Sequence, residues 1–268
     1  MIATWSMGLA DANMSEDILV EQTQLIRRHP WWQARAKLTL ELLDRLGVRP
    51  PARVLDAGCG WGVTLATLEQ RGYRVVGMDV SRRALEMLNQ ERPGRQLAEA
   101  DLTQALPSGL EGYDAVLALD VIEHLDDDRA AIERLAQLTS RGGVLVVSVP
   151  ALPEMFSDFD AIQGHRRRYT PETLRKAFTD TDLRVERVFW WGSWLVPALR
   201  RQRRQRRQAT SSETVSQAYR RYLRLPPWPG PWVLQLAFAW EQERALVGKL
   251  TSGTSLFAVA RRQGRIAT

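Results

Sequence analysis

Val54-Leu55-Asp56-Ala57-Gly58-Cys59-Gly60-Trp61-Gly62 decides the fold of this 268-residue chain. A short apolar run ends at a carboxylate, and three alternating glycines lead into Val63–Gln70, which reads as a helix. Glycines at such a turn reach positive φ and let a ligand approach the backbone. The helix behind them offers free N–H groups and the positive end of its dipole. Strand, glycine turn and helix together are the first unit of a parallel sheet.

The same alternation continues on both sides. Arg53–Ala57, Arg74–Met78, Gln96–Ala98, Tyr113–Leu119 and Gly143–Val149 read as strands, with Val63–Gln70, Arg82–Gln90 and Asp126–Leu138 as helices between them. This predicts an α/β fold whose sheet is covered by helices on both faces. Asp126, Asp127 and Asp128 suit a helix N-terminus, and Thr170-Pro171-Glu172 is a second helix start. Residues 14–46 read as two helices broken at His29-Pro30, the second carrying Leu38, Leu42, Leu43 and Leu46 and stopping at Gly47. Leu183–Trp190 and Ser255–Arg261 are two further strands. The stretch between them is too long and too apolar for a plain connection. The predicted organisation is an N-terminal helical lid (1–48), a core (49–191), an inserted helical cap rich in Arg and Trp (192–250), and a last core strand with a tail (251–268).

The glycine spacing selects the ligand. A dinucleotide fingerprint is G-x-G-x-x-G, whereas this loop reads G-x-G-x-G, with Val63 in place of the third glycine. Asp56 sets a carboxylate at the loop entrance, where a pyrophosphate is repelled and an ammonium or sulfonium is attracted. The pattern therefore favours an adenosyl amino acid over a nicotinamide dinucleotide. Asp79, at the tip of the second strand, can accept hydrogen bonds from both ribose hydroxyls. Asp101, after the third strand, can accept from an adenine amino group, and Leu102 can donate its N–H to the ring.

With Asp120-Val121-Ile122-Glu123-His124-Leu125 after the fourth strand and the Arg141-Gly142-Gly143 turn, these residues resemble the class I S-adenosylmethionine-dependent methyltransferases. The resemblance covers about residues 50–190 and returns at the last strand. It implies a Rossmann-like seven-stranded sheet of order 3-2-1-4-5-7-6 with strand 7 antiparallel. It also implies S-adenosyl-L-methionine as cofactor, on Asp56, Gly58, Cys59, Gly60, Asp79, Val80, Asp101, Leu102 and Leu119. His29-Pro30-Trp31-Trp32, Val149-Pro150-Ala151-Leu152-Pro153 and Gly164-His165-Arg166-Arg167-Arg168-Tyr169-Thr170 are similar to a bacterial subgroup whose acceptor the resemblance does not supply.

Methyl transfer from a sulfonium is an in-line displacement with a good neutral leaving group, so the protein mainly holds acceptor and methyl in near-attack geometry. A base is needed only when the nucleophile must lose a proton. His124, just past the fourth strand, and His165, after the fifth, are the candidate catalytic residues. Arg166, Arg168 and Tyr169 are candidate contacts for an anionic acceptor, although a solvated charge run also accounts for the arginines. Asp120-x-x-Glu123-His124 resembles the E-x-x-E-H set that binds a divalent metal in ubiquinone-pathway O-methyltransferases; many methyltransferases carry E-H here without one, and no metal is assigned.

The net charge is +6, but it is uneven. Residues 1–150 hold 16 basic and 21 acidic groups, while residues 151–268 hold 21 basic and 10 acidic. A uniform nucleic-acid coat is thereby disfavoured, since phosphate would be repelled by the first half. One cysteine, Cys59, excludes an internal disulfide and any multi-cysteine metal site. The first residues lack a basic segment followed by an apolar run, so the expected location is the cytoplasm. Arg200–Gln208 carries six arginines, and six of ten tryptophans lie at or after Trp190. Phe189-Trp190-Trp191 through Leu199, followed by the arginines, reads as an apolar wedge with a cationic collar, the composition of a peripheral contact with the inner membrane face. The expected function is methyl transfer to a small or lipid-linked acceptor, at oxygen before nitrogen or carbon. The alternative is a non-catalytic cofactor-binding or membrane-docked accessory protein of the same fold.

Overall fold

The computed structural model describes residues 2–7, 14–204, 215–225, 227 and 229–264. Its centre is an eight-stranded sheet in the order β1-β4-β3-β2-β5-β6-β8-β7. The strands are β1 (Ile2–Thr4), β2 (Arg53–Ala57), β3 (Arg74–Asp79), β4 (Gln96–Glu99), β5 (Tyr113–Leu119), β6 (Thr139–Pro150), β7 (Leu183–Trp191) and β8 (Ser255–Arg262). The pairs on β2, β3, β4 and β5 are parallel, and β8 alone runs antiparallel to both its neighbours, β6 and β7. Without β1, this is the expected order of seven strands with the last one antiparallel.

The eighth strand is a finding the sequence pattern did not offer. Ile2–Thr4 is too short to alternate, and it exists by pairing in parallel with Leu97–Glu99. Residues 1–48 are therefore not helical throughout. Three helices follow rather than two: α1 (Glu16–Glu21), α2 (Thr23–Arg28) and α3 (Pro30–Arg45), with Gln22 as the unforeseen break between the first two. Pro30 stands in the first turn of α3, and the His29 ring accepts the Trp31 N–H at 3.2 Å as its cap.

Side chains on the central strands alternate between two apolar layers. Val116, Ala118, Leu145 and Val147 face the layer that holds α6 (Asp128–Leu138) and α8 (Pro171–Lys176). Ala115, Leu117, Val144 and Val146 face the layer that holds α3, α4 (Val63–Gln70) and α5 (Arg82–Glu91). Asp127 caps α6 by accepting the Ala130 N–H at 2.9 Å, so that helix begins two residues later than the sequence pattern suggests. A further short helix, α7 (Asp158–Ile162), packs Phe159 and Ile162 against a third cluster that holds Ile18, Trp32 and Tyr219.

Between β7 and β8 the chain forms α9 (Val196–Arg204), α10 (Val215–Tyr222) and α11 (Gly230–Leu246). Their anchor is Glu241 of α11, fully buried, which accepts the Gly192 N–H at 3.0 Å and the Ser193 N–H at 2.6 Å. Phe238 packs on Trp191 and Trp194, at 5.2 and 4.9 Å between ring centres. The expected wedge is overturned here: Phe189 and Trp191 are 3% and 1% exposed, because β7 directs them into the layer that also holds Phe257. Gln205–Gln208, which completes the arginine run, and Trp228 lie outside the described residues. No described helix is long and apolar enough to cross a membrane.

Candidate active site

The carboxyl ends of β2 to β5 open into a cavity of about 710 Å³, within the range of small-molecule and cofactor sites. All nine residues expected at the cofactor line it: Asp56, Gly58, Cys59, Gly60, Asp79, Val80, Asp101, Leu102 and Leu119.

The glycine loop is tied to the neighbouring strand, since the Gly58 and Cys59 N–H groups both donate to the Met78 carbonyl, at 2.7 and 3.0 Å. Gly58 has φ +72°, and a Cβ there would stand 2.4 Å from Val121 Cγ2, so this glycine is required by packing. Gly60 differs: the nearest heavy atom to its added Cβ is Leu19 Cδ2 at 3.8 Å, an ordinary van der Waals contact, so packing does not require this glycine, although its φ of +44° does favour it.

Asp79 is set rigidly. Its Oδ2 accepts the Gly60 N–H at 2.8 Å and its Oδ1 accepts the Ser81 N–H at 2.9 Å. Each oxygen keeps a lone pair for a ligand. Burial raises the Asp79 carboxyl above its ordinary range, against those backbone donors. Asp56 is 3% exposed and its Oδ2 has no hydrogen-bond partner. Burial, with Asp79 nearby, pushes its carboxyl up to about 7. An orphaned buried carboxylate calls for a cation or a donor. A ligand with an ammonium or sulfonium and vicinal hydroxyls meets these demands, so the residues fit S-adenosylmethionine. Asp101 holds the Thr103 N–H at 2.8 Å through Oδ1, and its own N–H donates to Ser6 Oγ at 2.8 Å.

Opposite this edge, His124 and His165 meet edge to face, 4.8 Å between ring centres. Burial, then the neighbouring His165, pulls the His124 imidazole down to about 3, so it is neutral. His165 stands 3.2 Å through Nδ1 from Asp160 Oδ1, a carboxylate that also holds Arg168 Nε at 2.6 Å and Nη2 at 3.0 Å. Burial opposes ionisation of Asp160, but His165 and Arg168 outweigh it and hold the group down at about 2. An ionised Asp160 keeps the proton on Nδ1 and leaves Nε2 of His165 as the basic nitrogen. Glu123 is fully buried, both its oxygens lack hydrogen-bond partners, its Oε1 stands 3.8 Å from His165 Nε2, and burial with Asp120 raises its carboxyl well above the usual range. Glu123, His124 and His165 place one ligand atom each within 4.8 Å of one another, the group among the described residues best placed to hold a metal ion. Asp120 is not part of it: at φ +59° it accepts from Ser148 Oγ at 3.0 Å and pairs with Arg35.

The candidate acceptor contacts divide. Arg168 lines the cavity, whereas Arg166 and Tyr169 do not. Arg166 donates its N–H to the Glu123 carbonyl at 2.8 Å and Nε to the His124 carbonyl at 2.7 Å. Arg167 Nη2 reaches the Leu125 and Asp126 carbonyls at 2.9 and 2.8 Å. These arginines are neither an acceptor patch nor a solvated run; they tie the loop after β6 to the turn after β5. Tyr169 bonds by its N–H to the Pro150 carbonyl, which turns its side chain into the core, 1% exposed, with its hydroxyl donating to Asp128 at 2.7 Å.

Sequence reasoning missed Arg35 and Asp160 as participants, and weighed Glu123 only as part of the Asp120-x-x-Glu123-His124 pattern. Asp160 did carry a signal, since Ser157-x-x-Asp160 is a capping box that opens α7. Arg35 had none: it reaches Asp120 from α3 beneath the Trp31 ring, 4.8 Å from its centre. The far wall is aromatic, with Trp32 against Trp61 and Phe159 against Tyr222 at 5.8 and 5.0 Å.

A family model described as a methyltransferase domain matches residues 31–188. The chain belongs to that family, and its fold is that of the class I S-adenosylmethionine-dependent methyltransferases. It is 28% identical over 165 residues to an O-methyltransferase of Pyrenophora dematioidea, covering 57% of this chain and 61% of the relative. It is 28% identical over 131 residues to the ubiquinone biosynthesis O-methyltransferase of Chromobacterium violaceum, covering 43% and 55%. These matches thus span between half and two thirds of the relatives' length. A methyltransferase solved with the Haloferax volcanii Trm112 methyltransferase activator shares the fold, with a TM-score of 0.56 at 19% identity over 88% of this chain and 96% of that one.

Proposed function

We propose that this protein transfers a methyl group from S-adenosylmethionine to an oxygen of a small or lipid-linked acceptor. The observation that carries the reading is the shared cavity, lined by Asp56, Asp79 and Asp101 and also by His165, whose Nδ1 stands 3.2 Å from the buried Asp160. When bound, the cofactor supplies an electrophilic methyl group on a sulfonium. Asp79 holds the ribose hydroxyls, Asp101 and Leu102 hold the adenine, and Asp56 with Gly58 and Gly60 faces the amino-acid end. His165 accepts the acceptor's proton at Nε2 while Asp160 fixes the ring and stabilises the imidazolium. His124, neutral and packed on His165, borders the same space. Arg168 lies at the cavity wall, but its guanidinium is given to Asp160 and, through Nη1 at 3.0 Å, to the Ala151 carbonyl, so its part is to hold Asp160 in place.

Oxygen is favoured over nitrogen or carbon because a hydroxyl must lose a proton, and a histidine oriented by a carboxylate is placed to take it. The relatives named O-methyltransferases support the same choice. The deciding experiment is release of S-adenosylhomocysteine across a panel of phenols, alcohols, carboxylates and amines. Release with hydroxylated acceptors is expected. Tight S-adenosylmethionine binding in calorimetry with no release from any acceptor would instead favour the non-catalytic reading, and binding of NAD would overturn the cofactor assignment.

A further inference from the structure

α11 is apolar on two opposite faces. Phe238, Ala245 and Leu246 point inward and are buried. On the other side Trp232, Leu236 and Trp240 are 59%, 49% and 65% exposed, with Val233 and Val247 beside them. Steps of four residues place 232, 236 and 240 along one stripe of the helix. Of the seven large apolar side chains exposed among the described residues, these are five, so the exposure is concentrated in one patch and not scattered.

We propose that this stripe docks in the plane of an anionic lipid bilayer. Two of its three central residues are tryptophans, whose rings settle at headgroup depth. The sequence segment that contains the stripe is strongly basic: residues 192–250 hold 11 basic and 3 acidic groups. Arg244 lies over the Trp240 ring, 5.0 Å from its centre, and Arg201, Arg220, Arg224 and Lys249 are exposed. That excess complements lipid phosphate and repels a second copy of the same cationic segment. Glu241, Glu243 and Arg244 in its last turns keep α11 at the surface, not across the bilayer. The same helix lines the cavity with Leu234 and Phe238, so an amphiphilic acceptor held in the membrane would meet the protein on the helix that borders its site. The docking itself does not depend on the methyl-transfer reading.

The test is flotation of the full chain with vesicles of phosphatidylcholine alone or mixed with phosphatidylglycerol, at low and high salt. The wild type is expected to float with the phosphatidylglycerol vesicles and to be released by salt. The double variant Trp232→Ala/Trp240→Ala, and separately Leu236→Lys, are expected to bind about tenfold more weakly while keeping the wild-type melting temperature and S-adenosylmethionine affinity. Absence of the wild type from the floating fraction at low salt overturns the proposal. So does equal flotation of wild type and variants, which would assign binding to the arginines alone, or a dimer in solution that Leu236→Lys disperses.

Discussion

Asp56, Asp79 and Asp101 stand at the ends of three adjacent strands, where the sheet itself fixes their positions and backbone N–H groups hold Asp79 from two sides. Across the cavity, the cap has no sheet of its own. It rests on apolar contacts such as Phe238 on Trp191 and on one buried carboxylate, Glu241, that gathers the donors of the Gly192–Ser193 turn. The first wall is polar and local in sequence; the second is apolar and assembled from residues far apart. Polar recognition of a constant ligand needs rigid donors and acceptors, whereas a wall for a variable acceptor needs shape and tolerates change.

Substitutions on the two walls should therefore fail differently. The largest effect is expected from Asp79→Ala, which removes two charge-assisted hydrogen bonds worth together about 3–6 kcal/mol. Calorimetry should show S-adenosylmethionine affinity reduced at least about a hundredfold, with the cap unaffected. Glu241→Ala is the mirror experiment. It strands the Gly192 and Ser193 donors in a buried turn, at a cost of about 2–6 kcal/mol in denaturant unfolding. Equal loss of cofactor affinity in both variants would erase the distinction between the walls.

His165→Asn should lower turnover about a hundredfold on a hydroxylated acceptor found in the panel, with S-adenosylmethionine affinity retained. Unchanged turnover would remove His165 as the base. The last expected effect concerns the turn that opens α3. Burial holds the His29 imidazole down at about 4, from 6.5, so the folded state favours the neutral ring. Its contribution is complete above pH 6.5 and drains away as pH falls towards 4, by about 3 kcal/mol. His29→Asn keeps a cap for α3 and removes the titration. The wild-type melting temperature should therefore fall more steeply than the variant's across that window.

How much of this was legible in the sequence follows the same division. The strands from Arg53 to Leu119, and the carboxylates that end them, obey short-range rules: alternating burial, glycine turns and spacing of about twenty residues. Ile2–Thr4 becomes a strand only because Leu97–Glu99 offers it an edge, and nothing in three residues announces that. Arg166 and Tyr169 show the harder case. Their types suit an anionic acceptor, yet Arg166 is spent on the carbonyls of a neighbouring turn and Tyr169 on Asp128. Whether a cation faces a ligand or a peptide carbonyl depends on loop geometry, which residue type does not encode. The exposed tryptophans were misassigned for a related reason: β7 turns Trp191 inward, while α11 turns Trp232 and Trp240 outward.

The register of the last hairpin carries a consequence for the length of the connection above it. Trp191 faces Ser255 in the β7–β8 ladder, so the chain leaves the sheet at one rung and returns at the same rung. The sheet's hydrogen bonds are indifferent to what lies between. Doubling a connection costs only about 0.6 kcal/mol in closure entropy. A change of length between residues 192 and 254 would therefore leave the ladder below it in register.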